Sequence, residues 1–365
     1  MSDAVRRHYE LFPYPHYPLV ASVRRCDTYT LNLTALWTRF NGTLAPRAAM
    51  RILIAGCGSF APYPFALANP DAHITALDLS RPNLRRARLH CALHGRRNVT
   101  FRCGDLLDPA AVDGRFGLID AYGVLHHLED PLAGLQALGT RLTEGGILRV
   151  MVYSRYARRQ EESIRRAFRL LGVHEPAVAR RLMARSRPGS RLRGFMDASD
   201  EAACESGLAD ALLHPCVHTF RIDAFMELVR QSGLMPLLFA HEGALEDTGQ
   251  EIGRIRRLEE AGQSPGNFIL YLGRSPVGHS DSHEGRYAAD RAQARPRQPN
   301  PRPPGTPLPP PVSPPGALGN PFRRCPGNGS PLHQGALFAA LPAITSKSGP
   351  GILPGPLLAS HTGRR

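Results

Sequence analysis

The sequence predicts an α/β fold, a doubly wound and mostly parallel sheet with helices on both faces. Two observations predict it. From Arg51 onward, short apolar runs that read as buried strands alternate with segments of helical character. The first run, Ile52-Leu53-Ile54-Ala55, breaks at Gly56-Cys57-Gly58, and the second ends on Asp78, 20 residues past Gly58.

Residues 1–50 form a lead-in. Its stretch Tyr9-Glu10-Leu11-Phe12-Pro13-Tyr14-Pro15-His16-Tyr17-Pro18 is dense in aromatics and proline. Alternating prolines forbid a regular helix there. Leu31 to Phe40 then has the pattern of a short helix. After the first strand, glycines at 56 and 58 let the backbone turn sharply and a ligand approach closely, because no Cβ intervenes. The mostly apolar segment to Ala68 presents unpaired N–H groups at its start. His73 to Leu77 is a second strand, closed by Asp78. Pro82 to His94 reads as an arginine-rich helix and Val99 to Arg102 as a third strand, before Gly104-Asp105. Phe116 to Tyr122 is a fourth strand and Pro131 to Leu142 a helix. Gly145-Gly146 turns into Ile147 to Val152, a fifth strand. Residues 155–219 break the rhythm as a helical, arginine-rich insertion. Phe220 to Gly233 reads as a helix, and Leu234 to Phe239 and Asn267 to Leu272 as closing strands. The predicted organisation is therefore the lead-in 1–50, a domain 51–274 carrying the insertion, and a tail 275–365.

The tail differs in kind. It holds 19 of the 34 prolines, and such a segment cannot bury enough apolar surface to offset the entropy of ordering it. It is predicted to be disordered. The chain's net charge is +14, of which the tail contributes +7 from ten basic residues and three acids. Lys347 is the only lysine, so near-exclusive arginine reads as a coding bias rather than a nucleic-acid signature. A solvated basic tail is the default over one that binds nucleic acid or acidic lipid. Seven cysteines are scattered without C-x-x-C spacing, so neither a disulfide framework nor a zinc site is expected. The N-terminus lacks the apolar core of a signal peptide, and no apolar run is long enough to span a bilayer. A reduced, cytoplasmic, soluble protein is the expectation.

Strand, glycine turn, helix, strand and acid, in that order and spacing, make a Rossmann-like pattern. Asp78 falls where a carboxylate at a strand tip grips a ribose diol, so an adenosine-type cofactor is expected. With the motifs AGCGSF at 55–60, LDLS at 77–80, CGDLLD at 103–108, AYGVLHHLEDPLAGL at 121–135 and LTEGGILRVMVYSR at 142–155, residues 1–274 resemble the class I S-adenosylmethionine-dependent methyltransferases. The likeness is to the branch whose glycine turn reads AGCG and whose members often occur joined to tetratricopeptide repeats. No such repeat is visible here.

The resemblance implies a seven-stranded sheet with the last strand antiparallel, S-adenosyl-L-methionine as cofactor, and a role for each matching residue. Gly56, Cys57 and Gly58 would lie against the methionine portion. Asp78, with Leu79 beside it, would accept from both ribose hydroxyls. Asp105 would accept from the adenine amino group with Leu106 beside the ring. Tyr122 and Gly123 would line the pocket, and His127 would stand near the reacting centre. Two positions depart from the family's pattern. Ile54 stands where many members have an acid, and Phe60 where the turn's third glycine is usual.

Methyl transfer needs alignment and exclusion of water more than a catalytic constellation. The motifs therefore leave the acceptor open: an O, N or C nucleophile, on a small molecule in the favoured reading. His126 and His127 fit either proton transfer or loop packing. His214 and His218 are spaced for a metal pair, but Pro215 interrupts the helix and no third ligand is evident, so no metal is expected. Tyr14 and Tyr17 have the chemistry to cover a sulfonium, with plain packing as the default. The arginines from Arg155 to Arg193 read as a solvated face before a trap for an anionic substrate. Two alternative functions stand beside methyl transfer. One is a nucleic-acid methyltransferase or binder, with the arginine-rich segments as its footprint. The other is a catalytically silent module, motivated by Phe60. The sequence assigns no oligomeric state.

Overall fold

The computed structural model describes residues 3–274. The expectation for the tail at 275–365 lies outside the described residues. Seven strands, β1 (Arg51–Ala55), β2 (His73–Asp78), β3 (Val99–Cys103), β4 (Phe116–Tyr122), β5 (Leu142–Val152), β6 (Leu234–Phe239) and β7 (Phe268–Arg274), form one sheet in the order β3-β2-β1-β4-β5-β7-β6. The first five pair in parallel, and β7 runs antiparallel between β5 and β6. This is the predicted doubly wound sheet.

The central strands are apolar runs because both their faces are covered. Side chains alternate across the sheet, so Leu53 and Ala55 enter one core while Ile52 and Ile54 enter the other. Helices α1 (Asp3–Leu11), α2 (Leu33–Asn41), α3 (Pro62–Ala68) and α4 (Arg81–Leu93) precede β3 in the chain. On the Ile52 face, Leu36 and Trp37 of α2, Phe65 of α3 and Leu84 of α4 are buried. Helices α5 (Pro131–Thr140), α10 (Ile222–Gln231) and α11 (Thr248–Glu260) contribute Leu135, Leu138, Phe225, Val229 and Ile255 to the other core. Two caps fix helix starts beside the strand ends. Ser80 accepts from Asn83 N–H at the head of α4, and Asp130 from Ala133 N–H at the head of α5, where Pro131 occupies the first turn.

Three elements differ from the sequence reading. The lead-in begins with α1, because the first proline comes only at residue 13 and leaves the chain free to coil through Leu11; residues 12–24 are irregular, as the prolines require. Strand β5 begins at Leu142 rather than Ile147. Gly145, at φ +69°, absorbs an irregularity within the strand instead of ending it, and the register with β4 shifts between Phe116 and Leu118. Helix α11 carries no long apolar stripe and was not foreseen. Its start is set by Asp247, which accepts from Gln250 N–H at 2.8 Å, and Glu251 in its first turn is buried between His241 and Arg254.

Between β5 and α10 the chain forms α6 (Arg159–Leu170), α7 (Pro176–Arg185), α8 (Arg191–Ala198) and α9 (Glu205–Leu208), the last running into a wide π turn at Ala209–Leu213. Ile164, Phe168, Met183, Phe195, Leu208 and Leu212 give this helical cap a small core of its own. The cap sits at the carboxyl end of the parallel strands, where loops around β1 and β4 diverge and open a crevice.

Candidate active site

The crevice is a cavity of about 190 Å³, an order of magnitude more than a single water needs. Its floor is the β1–α3 turn. Gly56 and Gly58 have φ of +73° and +56°, a backbone region that disfavours side chains. A Cβ on Gly56 would also meet Val124 at 2.5 Å, and one on Gly58 would meet the Tyr14 carbonyl oxygen at 2.8 Å. Asp78, at the tip of β2, ties the turn down. Its Oδ2 accepts from Gly58 N–H at 2.7 Å and its Oδ1 from Ser80 N–H at 2.8 Å. Burial pushes its carboxyl upward, opposed by those amides and by Asn83. Oδ2 has a second lone pair, and Oδ1 meets Asn83 Nδ2 only at a long 3.5 Å, so Asp78 keeps the capacity to accept from two ribose hydroxyls once that weak contact yields.

Of the residues predicted from sequence, Gly56, Cys57, Gly58, Asp78, Leu79, Tyr122, Gly123 and His127 all line this one cavity. Asp105 and Leu106 do not. The Asp105 carboxylate accepts from Leu107 N–H at 2.9 Å within its own loop, and Leu106 is buried in the core. His126 is fully buried against the Tyr153 ring, with centroids 3.7 Å apart. It lies outside the lining, which separates it from its neighbour His127.

Phe60 packs under the lead-in rather than obstructing the turn. Its ring meets Tyr17 at 4.5 Å, His90 at 5.1 Å and Tyr63 at 6.0 Å. Ser59 N–H donates to the Tyr14 carbonyl, Ser59 Oγ–H to the Pro15 carbonyl, and Tyr14 N–H to Asn83 Oδ1. The aromatic lead-in is thus strapped across the glycine turn, with Tyr9, Tyr14 and Tyr17 facing the cavity. Phe60→Leu keeps an apolar group but loses these ring contacts, and should lower unfolding stability by about 1–2 kcal/mol. Denaturant melts of the two chains check this; coincident melts would mean that Phe60 does not anchor the strap.

Apart from His127 and Tyr153, the residues at the far end of the cavity lie outside the motifs. Tyr9 O–H donates to Asp210 Oδ1 at 2.9 Å, linking α1 to the π turn. Arg158, paired with Glu161 and Glu201 at 3.0 and 3.2 Å, lies over the Tyr153 ring. His127 Nδ1 lies 2.9 Å from the Cys216 carbonyl oxygen. A carbonyl accepts only, so Nδ1 carries the proton and Nε2 keeps its lone pair. Burial holds this imidazole neutral, with its pKa lowered to about 4. Arg165, by contrast, is buried and donates to the Ala211 carbonyl, so it braces the cap rather than facing a substrate.

His8, Asp210 and His214 bring potential ligating atoms within 4.8 Å of one another. Cys216 N–H donates to His214 Nδ1 at 3.2 Å, however. That leaves His214 Nε2 as the protonated nitrogen, a donor rather than a ligand, so a cation is disfavoured there.

Residues 53–148, from β1 into β5, match a family model described as a methyltransferase domain. The matched segment is thus a methyltransferase domain by similarity, in a sheet of the class I S-adenosylmethionine-dependent type. An uncharacterized protein of Synechococcus is 29% identical to the chain over 307 residues, 77% of this chain and 74% of that one. A ubiquinone biosynthesis O-methyltransferase of Xanthomonas campestris is 35% identical over 109 residues, which cover 29% of this chain and 45% of the relative. The structure of PKMT2 from Rickettsia typhi shares the methyltransferase fold at a TM-score of 0.53 and 16% identity, over 73% of this chain and 56% of that one. The chain thus spans about half the length of that solved structure and of the curated O-methyltransferase. The glycine turn, Asp78 and the β4 tip line one cavity of this methyltransferase domain, whose family uses S-adenosylmethionine. No helix among the described residues is long and apolar enough to cross a membrane.

Proposed function

We propose that the chain methylates a hydroxyl oxygen of a small molecule held between α1 and the helical cap. The observation that carries this reading is the enclosure of the acceptor end. Tyr9, Tyr153, Arg158, Glu201 and Asp210 wall it in, and α1 closes one side. A macromolecule would need an open groove, whereas a small acceptor fits a walled pocket. The O-methyltransferase named among the relatives agrees with an oxygen nucleophile.

Bound S-adenosylmethionine supplies an electrophilic methyl group on a sulfonium sulfur. Gly56, Gly58 and Asp78 hold its position. His127 Nε2 takes the acceptor's hydroxyl proton as the oxygen becomes nucleophilic, and the Cys216 carbonyl keeps the ring in the required tautomer. The walls exclude water, which would otherwise solvate the oxygen and blunt its attack.

Full-length protein incubated with methyl-labelled S-adenosylmethionine and a cell extract tests the reading. Label is expected in small, base-stable products, as methyl ethers are. Label confined to RNA or protein would contradict it. With the acceptor in hand, His127→Gln is expected to lower kcat about 100- to 10,000-fold while leaving cofactor affinity near normal. An unchanged kcat would remove His127 from the proton transfer.

A further inference from the structure

Asp120 and Arg149 form an ion pair inside the protein. Arg149 Nη1 donates to Asp120 Oδ1 at 2.9 Å, with both side chains about 95% buried. A buried pair of this kind contributes little net stability, because the desolvation of two charges offsets their attraction. Packed apolar residues would serve the core as well. The pair is also not sealed in the core, since both residues line the active-site cavity. The Tyr122 ring lies 4.3 Å from the Arg149 guanidinium and orients it.

Position narrows the role. Asp120 on β4 is the register partner of Ile54 on β1, two residues before Gly56. Arg149 pairs with Asp120 from β5 on the next strand. Both charges therefore stand beside the glycine turn, on the side away from Asp78 and β2. The other charged wall, Arg158 with Glu201, stands at the helical cap with Asp210, and Tyr9 of α1 and His127 line the same cavity. Asp78 anchors one end of an elongated cofactor whose opposite end is a zwitterion, an α-ammonium and an α-carboxylate.

We propose that Asp120 and Arg149 are the binding site for that amino-acid end, Asp120 accepting from the ammonium and Arg149 donating to the carboxylate. The pair is a pre-organised counter-zwitterion. In the free protein each charge neutralises the other, and the ligand completes a four-charge arrangement. This rests on the assignment of the cavity to S-adenosylmethionine, and extends it to two residues to which the sequence motifs gave no role.

The test compares S-adenosylhomocysteine with 5′-methylthioadenosine, which has the nucleoside and thioether but no amino-acid end. Calorimetry on the full-length chain is expected to give a wild-type dissociation constant at least about 30-fold tighter for S-adenosylhomocysteine. In Asp120→Asn and Arg149→Gln, and in the uncharged pair Asp120→Leu with Arg149→Met, that preference is expected to collapse to within a few-fold, while methylthioadenosine affinity stays near wild type. Retained methylthioadenosine binding shows that the variant cavities are folded. Equal affinity of the wild type for the two ligands would overturn the proposal without recourse to any variant. So would a preference that survives in the variants, which would leave the pair a structural role. Failure of the wild type to bind either ligand is a different result, and would overturn the cofactor assignment beneath it.

Discussion

Asp78→Ala is expected to weaken S-adenosylhomocysteine binding about 30- to 1,000-fold, the loss of two charge-assisted hydrogen bonds to the ribose. The same carboxylate also accepts from Gly58 N–H and Ser80 N–H, so its removal unties the glycine turn from β2 and strands two amides. A loss of about 1–3 kcal/mol in unfolding stability should accompany the loss of affinity. Asp78→Asn separates the two effects. It preserves bulk and one acceptor oxygen, so it should keep more stability than alanine while still binding the ribose poorly. Calorimetric titration and denaturant melts on the three chains decide the matter. Dissociation constants that did not differ would remove Asp78 from the ribose site.

Acid should destabilise the protein through one histidine cluster. His8 and His214 have ring centroids 4.7 Å apart, His127 and His214 3.8 Å, and His126 and His127 4.2 Å. Burial lowers all four pKa values, to about 4 for His8 and His127, and mutual repulsion between neighbouring rings adds to it. In the unfolded chain these groups bind protons below about pH 6.5. Between pH 6.5 and 4 the unfolded state therefore holds more protons than the folded one, and stability falls as pH falls. At pH 5 the loss relative to pH 7 is on the order of 2 kcal/mol for each of His8 and His127. Asp120 and Asp210, whose carboxyls burial pushes upward, act in the opposite sense. The histidine contribution is isolated by comparing urea midpoints at pH 7 and 5 for wild type and His127→Gln. The acid-induced loss should be smaller in the variant by about 2 kcal/mol. An equal loss in both would mean that His127 is not held neutral by burial.

The parallel sheet was legible because its physics is local. A strand buried on both faces is mostly an apolar run, and Ile52 to Ala55 and Phe116 to Ile119 are such runs. The cofactor end was legible for a related reason. Backbone that must turn sharply needs glycine, so Gly56 and Gly58, both at positive φ, stand at a readable spacing, with Asp78 at the tip of β2 beside them.

The acceptor end has no such rule. Tyr9 and Asp210 meet across 201 residues, and nothing near either predicts the other. The π turn that aims Asp210 has no sequence signature. Asp120 and Arg149 sat inside strands already read as apolar, where their charges gave no periodic signal. Helix α11 was missed because an acidic and basic surface with one buried Ile255 hides its apolar face. Phe60 looked like a flaw in the glycine turn. Its partners, Tyr17 and His90, come from segments that only the fold brings together.

The central claim is that one cavity, floored by the β1–α3 turn, holds the methyl donor. Titrating the full-length chain with S-adenosylhomocysteine in a calorimeter tests it most directly. Binding of one molecule per chain, displaced by S-adenosylmethionine and weakened in Asp78→Ala, is the predicted result. Absence of binding in a chain that melts cooperatively would contradict it, as would binding that Asp78→Ala leaves unchanged.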